Sequence, residues 1–162
     1  AENLRAVYGF DGGDVWAVGS VGTIMHLGPF GWHQIRVDPI PKSDGSEEQF
    51  MLQLNAVWGA TPDDVWAVGV DGGMVHWDGE SWKKYESDFT ISLKGLYGLA
   101  GDDIWAVGNQ GFILHYDGEA WSPWPSGSVA TLYDIHGDGD GHVVIVGDLG
   151  TVLMLREEPV EE

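Results

Sequence analysis

Apolar residues along this chain do not recur with a helical period. They come in runs of four to six, rich in β-branched and aromatic types, and each run is bounded by Gly, Asp or Pro. That is the pattern of short strands joined by tight turns. The clearest runs are Val15-Trp16-Ala17-Val18, Val65-Trp66-Ala67-Val68 and Ile104-Trp105-Ala106-Val107, apolar at every position. A strand with one wet face alternates apolar and polar residues, so an unbroken run predicts a strand covered on both faces.

The runs belong to a repeat. Four segments align, opening at Leu4, Leu54, Leu93 and Leu132, the last best registered from Thr131. The Gly that ends each A-V-G or I-V-G run falls at Gly19, Gly69, Gly108 and Gly147, spaced 50, 39 and 39 residues apart. The first spacing is long because a polar insert at residues 39–49 (PIPKSDGSEEQ) separates copies one and two. Each copy predicts four strands: L-x-A-V-W/Y-G, then D-V-W-A-V-G, then G-x-I/V-x-H, then one after a D-G-E-x-W turn. Copy four has neither that turn nor its Trp.

Small four-stranded sheets repeating at about 40 residues and covered on both faces stack radially as propeller blades. The expected fold is therefore an all-β single domain spanning residues 1–162. Its blades fall at 4–38, 54–88, 93–126 and 131–156, the last three-stranded, followed by an acidic tail at 157–162. Trp16, Trp66 and Trp105 are expected between blades, with Val144 in the fourth equivalent place.

The pattern W-A-V-G-x-x-G-x-I-x-H-x-D-G-x-x-W resembles the Asp-box and photosystem-II-assembly-factor-like propeller repeats. Copy two carries it through Trp66, Gly69, Gly72, His76, Asp78, Gly79 and Trp82, and copy three through Trp105, Gly108, Gly111, His115, Asp117, Gly118 and Trp121. Copy one departs at the turn, with Gly28-Pro29-Phe30-Gly31 before Trp32. The resemblance implies a binding or scaffold domain, with catalysis only in sialidase-type members. The turn itself has a plain physical reading: Asp78 and Asp117 accept bonds from backbone N–H groups two residues on, and Gly79 and Gly118 take positive φ.

Strand counting leaves three readings of the ring. The chain is a small four-bladed ring with one three-stranded blade, half of an eight-bladed ring made by two copies, or part of a longer propeller. An open arc leaves two apolar blade faces in water, which favours self-association.

Composition narrows the partners. The formal charge is −19, from 26 acidic and 7 basic residues. Such a chain has no basic stripe for phosphates, and an anionic membrane surface repels it. Its start at Ala1 without Met suggests a processed or excised segment, and an extracellular or cell-envelope setting is the weak expectation. There is no Cys, which excludes disulfides, thiolate metal sites and a Cys nucleophile. No stretch approaches the roughly 18 apolar residues of a membrane span.

Candidate chemistry is repeated rather than singular. Acidic residues open the second strand of each copy: Asp11 and Asp14, Asp63 and Asp64, Asp102 and Asp103, Asp138 and Asp140. On one propeller face they predict a ring of carboxylates. Asp138-Gly139-Asp140-Gly141 begins as an EF-hand loop does, yet its twelfth position is Leu149 where a bidentate Glu is needed. Asp138 and Asp140 are therefore weak calcium candidates, and no other cofactor is expected. His26, His76 and His115 are equivalent third-strand residues and are expected in separate blade interfaces, bonded in the core. A sialidase-like site needs an arginine cluster, and Arg5, Arg36 and Arg156 occupy unmatched positions. No enzyme is expected.

Two features stand apart for binding. One is the insert, with Lys42, Asp44, Glu47 and Glu48. The other is the W-S-P-W-P run with Trp121 and Trp124, expected on an outer strand and suited to sugar stacking or to a partner surface. The first reading is a non-catalytic scaffold for protein–protein contacts. The alternative is a lectin-like propeller with a shallow glycan site between each pair of blades.

Overall fold

The computed structural model describes residues 2–139 and 141–155. Four antiparallel meanders follow one another along the chain. Blade one holds β1 (Leu4–Gly9), β2 (Val15–Gly19), β3 (Ile24–Gly28) and β4 (Gly31–Ile35). The insert folds into a small hairpin, β5 (Ile40–Pro41) and β6 (Glu47–Glu48). Blade two holds β7 (Leu54–Thr61), β8 (Asp64–Gly69), β9 (Met74–Trp77) and β10 (Trp82–Lys84). Blade three holds β11 (Leu93–Ala100), β12 (Asp103–Gly108), β13 (Ile113–Tyr116) and β14 (Trp121–Trp124). Blade four holds β15 (Leu132–Gly137), β16 (Val143–Gly147) and β17 (Val152–Leu155), three strands among the described residues.

The first strands β1, β7, β11 and β15 pack side by side in chain order. Three cores form, one between each pair of successive blades. In the first, Trp16, Val18 and Ile24 of blade one meet Leu54, Val57, Ala67, Val75 and Trp82 of blade two. The second repeats this with Trp66, Val68 and Met74 against Leu93, Leu96, Ala106, Leu114 and Trp121. The third sets Trp105, Val107 and Ile113 against Leu132, Ile135, Val143 and Ile145. The V-W-A-V run is thus apolar throughout because its alternate residues feed two different cores. Burying one such large side chain stabilises by roughly 1.5–3 kcal/mol, which makes these cores the main source of stability.

The repeated A-V-G glycines have a steric cause. A Cβ on Gly69 would stand 1.9 Å from the Gln53 carbonyl oxygen, and one on Gly19 2.0 Å from that of Asn3. The chain entering each first strand crosses directly over the end of the second. Its carbonyl accepts from the next amide, as Val70 N–H to Gln53 O at 2.9 Å and Asp148 N–H to Thr131 O at 2.8 Å.

The described residues form an open arc of four blades rather than a closed four-bladed ring. Val7 is 68% exposed, whereas the equivalent Ile135 is 3% exposed. Leu4 is 53% exposed where Leu54, Leu93 and Leu132 are fully buried. At the other end Val144, Val146 and Val152 are exposed, although their counterparts Trp16, Val18 and Ile24 lie in a core. No helix of the described residues is long and apolar enough to cross a membrane.

Candidate interaction surface

The strand registers decide what the repeated polar residues do. Trp16 pairs across the sheet with His26, Trp66 with His76 and Trp105 with His115. Each imidazole stacks on its Trp, with ring centroids 4.0, 4.3 and 4.0 Å apart. Each Nε2 also lies within hydrogen-bonding reach of a second-strand carboxylate: His26 to Asp14 at 3.0 Å, His76 to Asp64 at 2.7 Å, His115 to Asp103 at 2.8 Å. Asp103 Oδ1 also accepts from the Trp105 indole N–H at 2.9 Å. The three imidazoles therefore sit in three different blades, each bonded within its own.

The same geometry corrects the expected carboxylate ring. Asp14, Asp64 and Asp103 are bonded to the His of their own blade, and Asp63 and Asp102 lie against Gly79 and Gly118 of the outer turn. Among the described residues no group of three or more His, Asp or Glu converges to hold a metal. Asp138 faces His142, its Oδ2 2.7 Å from the His142 Nδ1. Asp140, the other calcium candidate, lies outside the described residues.

The outer turns carry the local chemistry expected of them. Asp78 Oδ1 accepts from the Glu80 and Ser81 amides at 3.1 and 2.9 Å, and Asp117 Oδ1 from Glu119 and Ala120 at 2.9 Å each. Gly79 and Gly118 take φ of 88° and 90°. The Lys83 ammonium, 2.5 Å from Asp78 Oδ2, and these amides hold the Asp78 carboxyl far below the usual carboxylate range. The Ala120 and Glu119 amides lower Asp117 as well.

The hairpin β5–β6 stands outside the repeat. Asp44 Oδ1 accepts from the Ser46 amide and hydroxyl at 2.9 and 2.6 Å, which lowers its pKa. Gly45 takes a φ of 81°, and the Lys42 amide donates to Ser46 O at 2.8 Å. Lys42 Nζ reaches Glu48 Oε2 across the pair at 3.2 Å. Lys42, Asp44, Glu47 and Glu48 are all exposed. The root of the hairpin is fixed to the outer edge of blade two. Val37 bridges Trp82 in parallel, and the Asp38 amide donates to Trp82 O at 2.7 Å. A hollow of about 160 Å³ lies between Asp38, Pro39 and Pro41 on one side and Lys83 and Lys84 on the other.

The two tryptophans expected at the surface part company. Trp121 is 5% exposed and lies in the second core, edge-on to Trp66 at 5.5 Å. It fills the place Trp82 fills in the first core, so it is not free to stack on a sugar. Trp124 is 41% exposed and stands edge-on to Trp105 at 5.1 Å. It covers the ring that a Trp on a fourth strand of the next blade would otherwise meet. Both belong to blade three, while the hairpin charges lie at the junction of blades one and two.

The free face of blade one, one of the two apolar faces expected of an open arc, carries a hollow of about 510 Å³ lined by Leu4, Arg5, Val7, Ala17, Met25 and Trp32.

Comparison with known proteins places the fold. No family model and no curated protein matches the chain. Among solved structures, YCF48 from Cyanidioschyzon merolae matches with a TM-score of 0.73 and 17% identity, covering 98% of this chain and 52% of that one. YCF48 bound to a D1 peptide matches with 0.73 and 18%, covering 96% and 51%. Virginiamycin B lyase from Staphylococcus aureus, solved with quinupristin, matches with 0.67 and 11%, covering 98% and 57%. The chain spans about half the length of these structures. With its radial four-stranded blades and these likenesses, it has the fold of part of a β-propeller.

Proposed function

We propose that this chain is part of a non-catalytic propeller that recognises a protein segment, with the β5–β6 hairpin as its recognition element. One observation carries the reading. The imidazoles of His26, His76 and His115 are bonded to Asp14, Asp64 and Asp103 within their own blades, whereas the one element outside the repeat among the described residues presents its charged side chains to solvent. A non-repeating loop on a rigid repeat scaffold is where specific recognition concentrates. The solved YCF48 propeller with a D1 peptide gives a precedent for peptide binding on this architecture. The likeness of copies two and three to Asp-box and photosystem-II-assembly-factor-like repeats supports the same class.

The partner chemistry follows from charge. The hairpin carries Asp44, Glu47 and Glu48 against Lys42, which is bonded to Glu48, on a chain of formal charge −19. A cationic, extended segment complements that field. The test is a fluorescence-anisotropy panel of peptides of graded charge, run beside a glycan array with and without calcium. Saturable binding to cationic peptides is expected, weakened by salt and lost at least about tenfold in a Glu47→Lys, Glu48→Lys variant. Both positions are exposed, so that variant keeps the fold. Glycan binding competed by free sugar, or peptide binding indifferent to the two changes, would overturn the reading.

A further inference from the structure

We infer that the free edge of β6 is a strand-addition site, and that its occupant is an extended segment with a cationic residue at every second position. The inference rests on the hairpin reading above and deepens it, naming the mode of binding and the pattern read.

A strand at the edge of a sheet leaves every second N–H and C=O unpaired, and proline, charge or a covering segment closes such an edge. In blade three the Asp117 amide donates to Ala120 O at 3.4 Å, so alternation turns the backbone of Trp121 and Pro123 outward. Pro123 has no N–H to offer there. In blade two the Tyr85 amide donates to Met74 O at 2.9 Å, which turns Trp82 and Lys84 outward. The Trp82 carbonyl is taken by the Asp38 amide at 2.7 Å, and Lys84 faces Pro39 and Pro41 across the hollow of about 160 Å³. In blade one Gln34 holds the place of Lys84 and Pro123. That edge is open, but it leads to Arg36.

The hairpin has one closed edge and one open edge. The Lys42 amide donates to Ser46 O at 2.8 Å, and Ile40 pairs with Glu48 and Pro41 with Glu47. Alternation makes Ile40 and Glu48 the next bonded pair and turns the backbone of Pro41 and Glu47 outward. On β5 the outward residue is a proline without a donor, and Lys83 and Lys84 lie beyond it. On β6 it is Glu47, which is exposed and keeps both N–H and C=O.

Side chains choose the occupant. Glu47 and Glu48 point to opposite faces of the ladder. Glu48 is paired with Lys42, while Lys83 and Lys84 are paired with Asp78 and Glu86. Among the described residues Glu47 has no ion pair. Backbone and charge are thus both unsatisfied at one exposed residue. A strand added there sets every second side chain on the face that holds Glu47, where opposite charges attract across neighbouring strands. A cationic segment meets like charge at Lys84 on β10 and at Arg36 beyond β4, and meets none at Glu47.

The test is fluorescence anisotropy of the 162-residue chain with a synthetic nine-residue peptide that alternates Lys and Thr. Its isomer carries the same lysines in one block, so the long-range field treats the two alike. The alternating peptide should bind about threefold to fivefold tighter. N-methylating all amides of one alternate set should weaken it at least about tenfold, and methylating the other set less than about twofold. Glu47→Pro, which copies Pro41 across the pair, should weaken binding more than Glu47→Gln, which keeps the N–H. Equal affinity of the isomers with indifference to both methylated sets would overturn strand addition and leave the hairpin reading standing. Loss of binding in Gln34→Pro but not in Glu47→Pro would place the added strand on β4 and overturn the inference too. Failure of every cationic peptide to bind would remove the hairpin reading and this inference together.

Discussion

At the residue scale, the repeat is written in glycines and aspartates whose reasons are local. Gly69 has an ordinary extended φ of −160°, so its need is purely steric: the Gln53 carbonyl leaves no room for a methyl group. Gly69→Ala should therefore destabilise by at least about 2 kcal/mol in urea unfolding. The same change at Gly12, where a Cβ would meet no atom within 4 Å, tests only its φ of 95°. The outer-turn aspartates make a pH prediction. Asp78 and Asp117 have depressed pKa values in the fold. Their contribution is present above the ordinary carboxylate range and is lost as the pH falls through their lowered values. Asp78→Asn should flatten the acid limb of a stability-against-pH curve more than Asp117→Asn, because Asp78 also holds Lys83. The turn aspartates were legible in the sequence because an Asx turn is fixed within four residues. The partners of Asp64 and Asp103 were not. They depend on which side chain the register of a neighbouring strand brings alongside, and so a ring of carboxylates was expected where His–Asp pairs formed.

At the element scale, the strands were legible for a physical reason. A second strand lying between two cores is apolar at every position, and a first strand such as β7 feeds both cores too, with Leu54 and Val57 on one side and Ala56 and Trp58 on the other. The hairpin β5–β6 was not legible, because its short ladder of Ile40, Pro41, Glu47 and Glu48 rests on the Asp44 turn rather than on strand-forming residues. Hydrogen exchange should follow this division. Amides of β8 and β12, with a core on each side, should exchange slowest, and those of β5 and β6 fastest. The two tryptophans of β14 separate in the same way. Trp121→Ala empties a place in the second core and should cost about 3–5 kcal/mol. Trp124→Ala removes a half-exposed ring and should cost roughly 1–2 kcal/mol. Equal costs in denaturant unfolding would contradict the burial that distinguishes them.

At the scale of the whole molecule, closure is a property of faces rather than of pattern. The sequence counts four copies with equal clarity whether the ends meet, face water or meet another chain, which is why three rings fitted it. Exposure argues against the closed four-bladed ring: Leu4 and Val7 at one end, and Val146 and Val152 at the other, remain in water although their counterparts are buried. The hairpin and the free faces lie on different parts of the arc, the hairpin outside blade two and the faces at its two ends.

That arc is the central claim, and the absence of cysteine makes it directly measurable, since introduced thiols are the only ones present. Spin labels on a Val7→Cys, Val144→Cys chain, diluted into unlabelled chain, report the distance between the two end faces by pulsed dipolar spectroscopy. An open arc predicts one long, well-defined intrachain distance. Labels in contact within a single chain would mean that blade four closes on blade one, and would contradict the open arc.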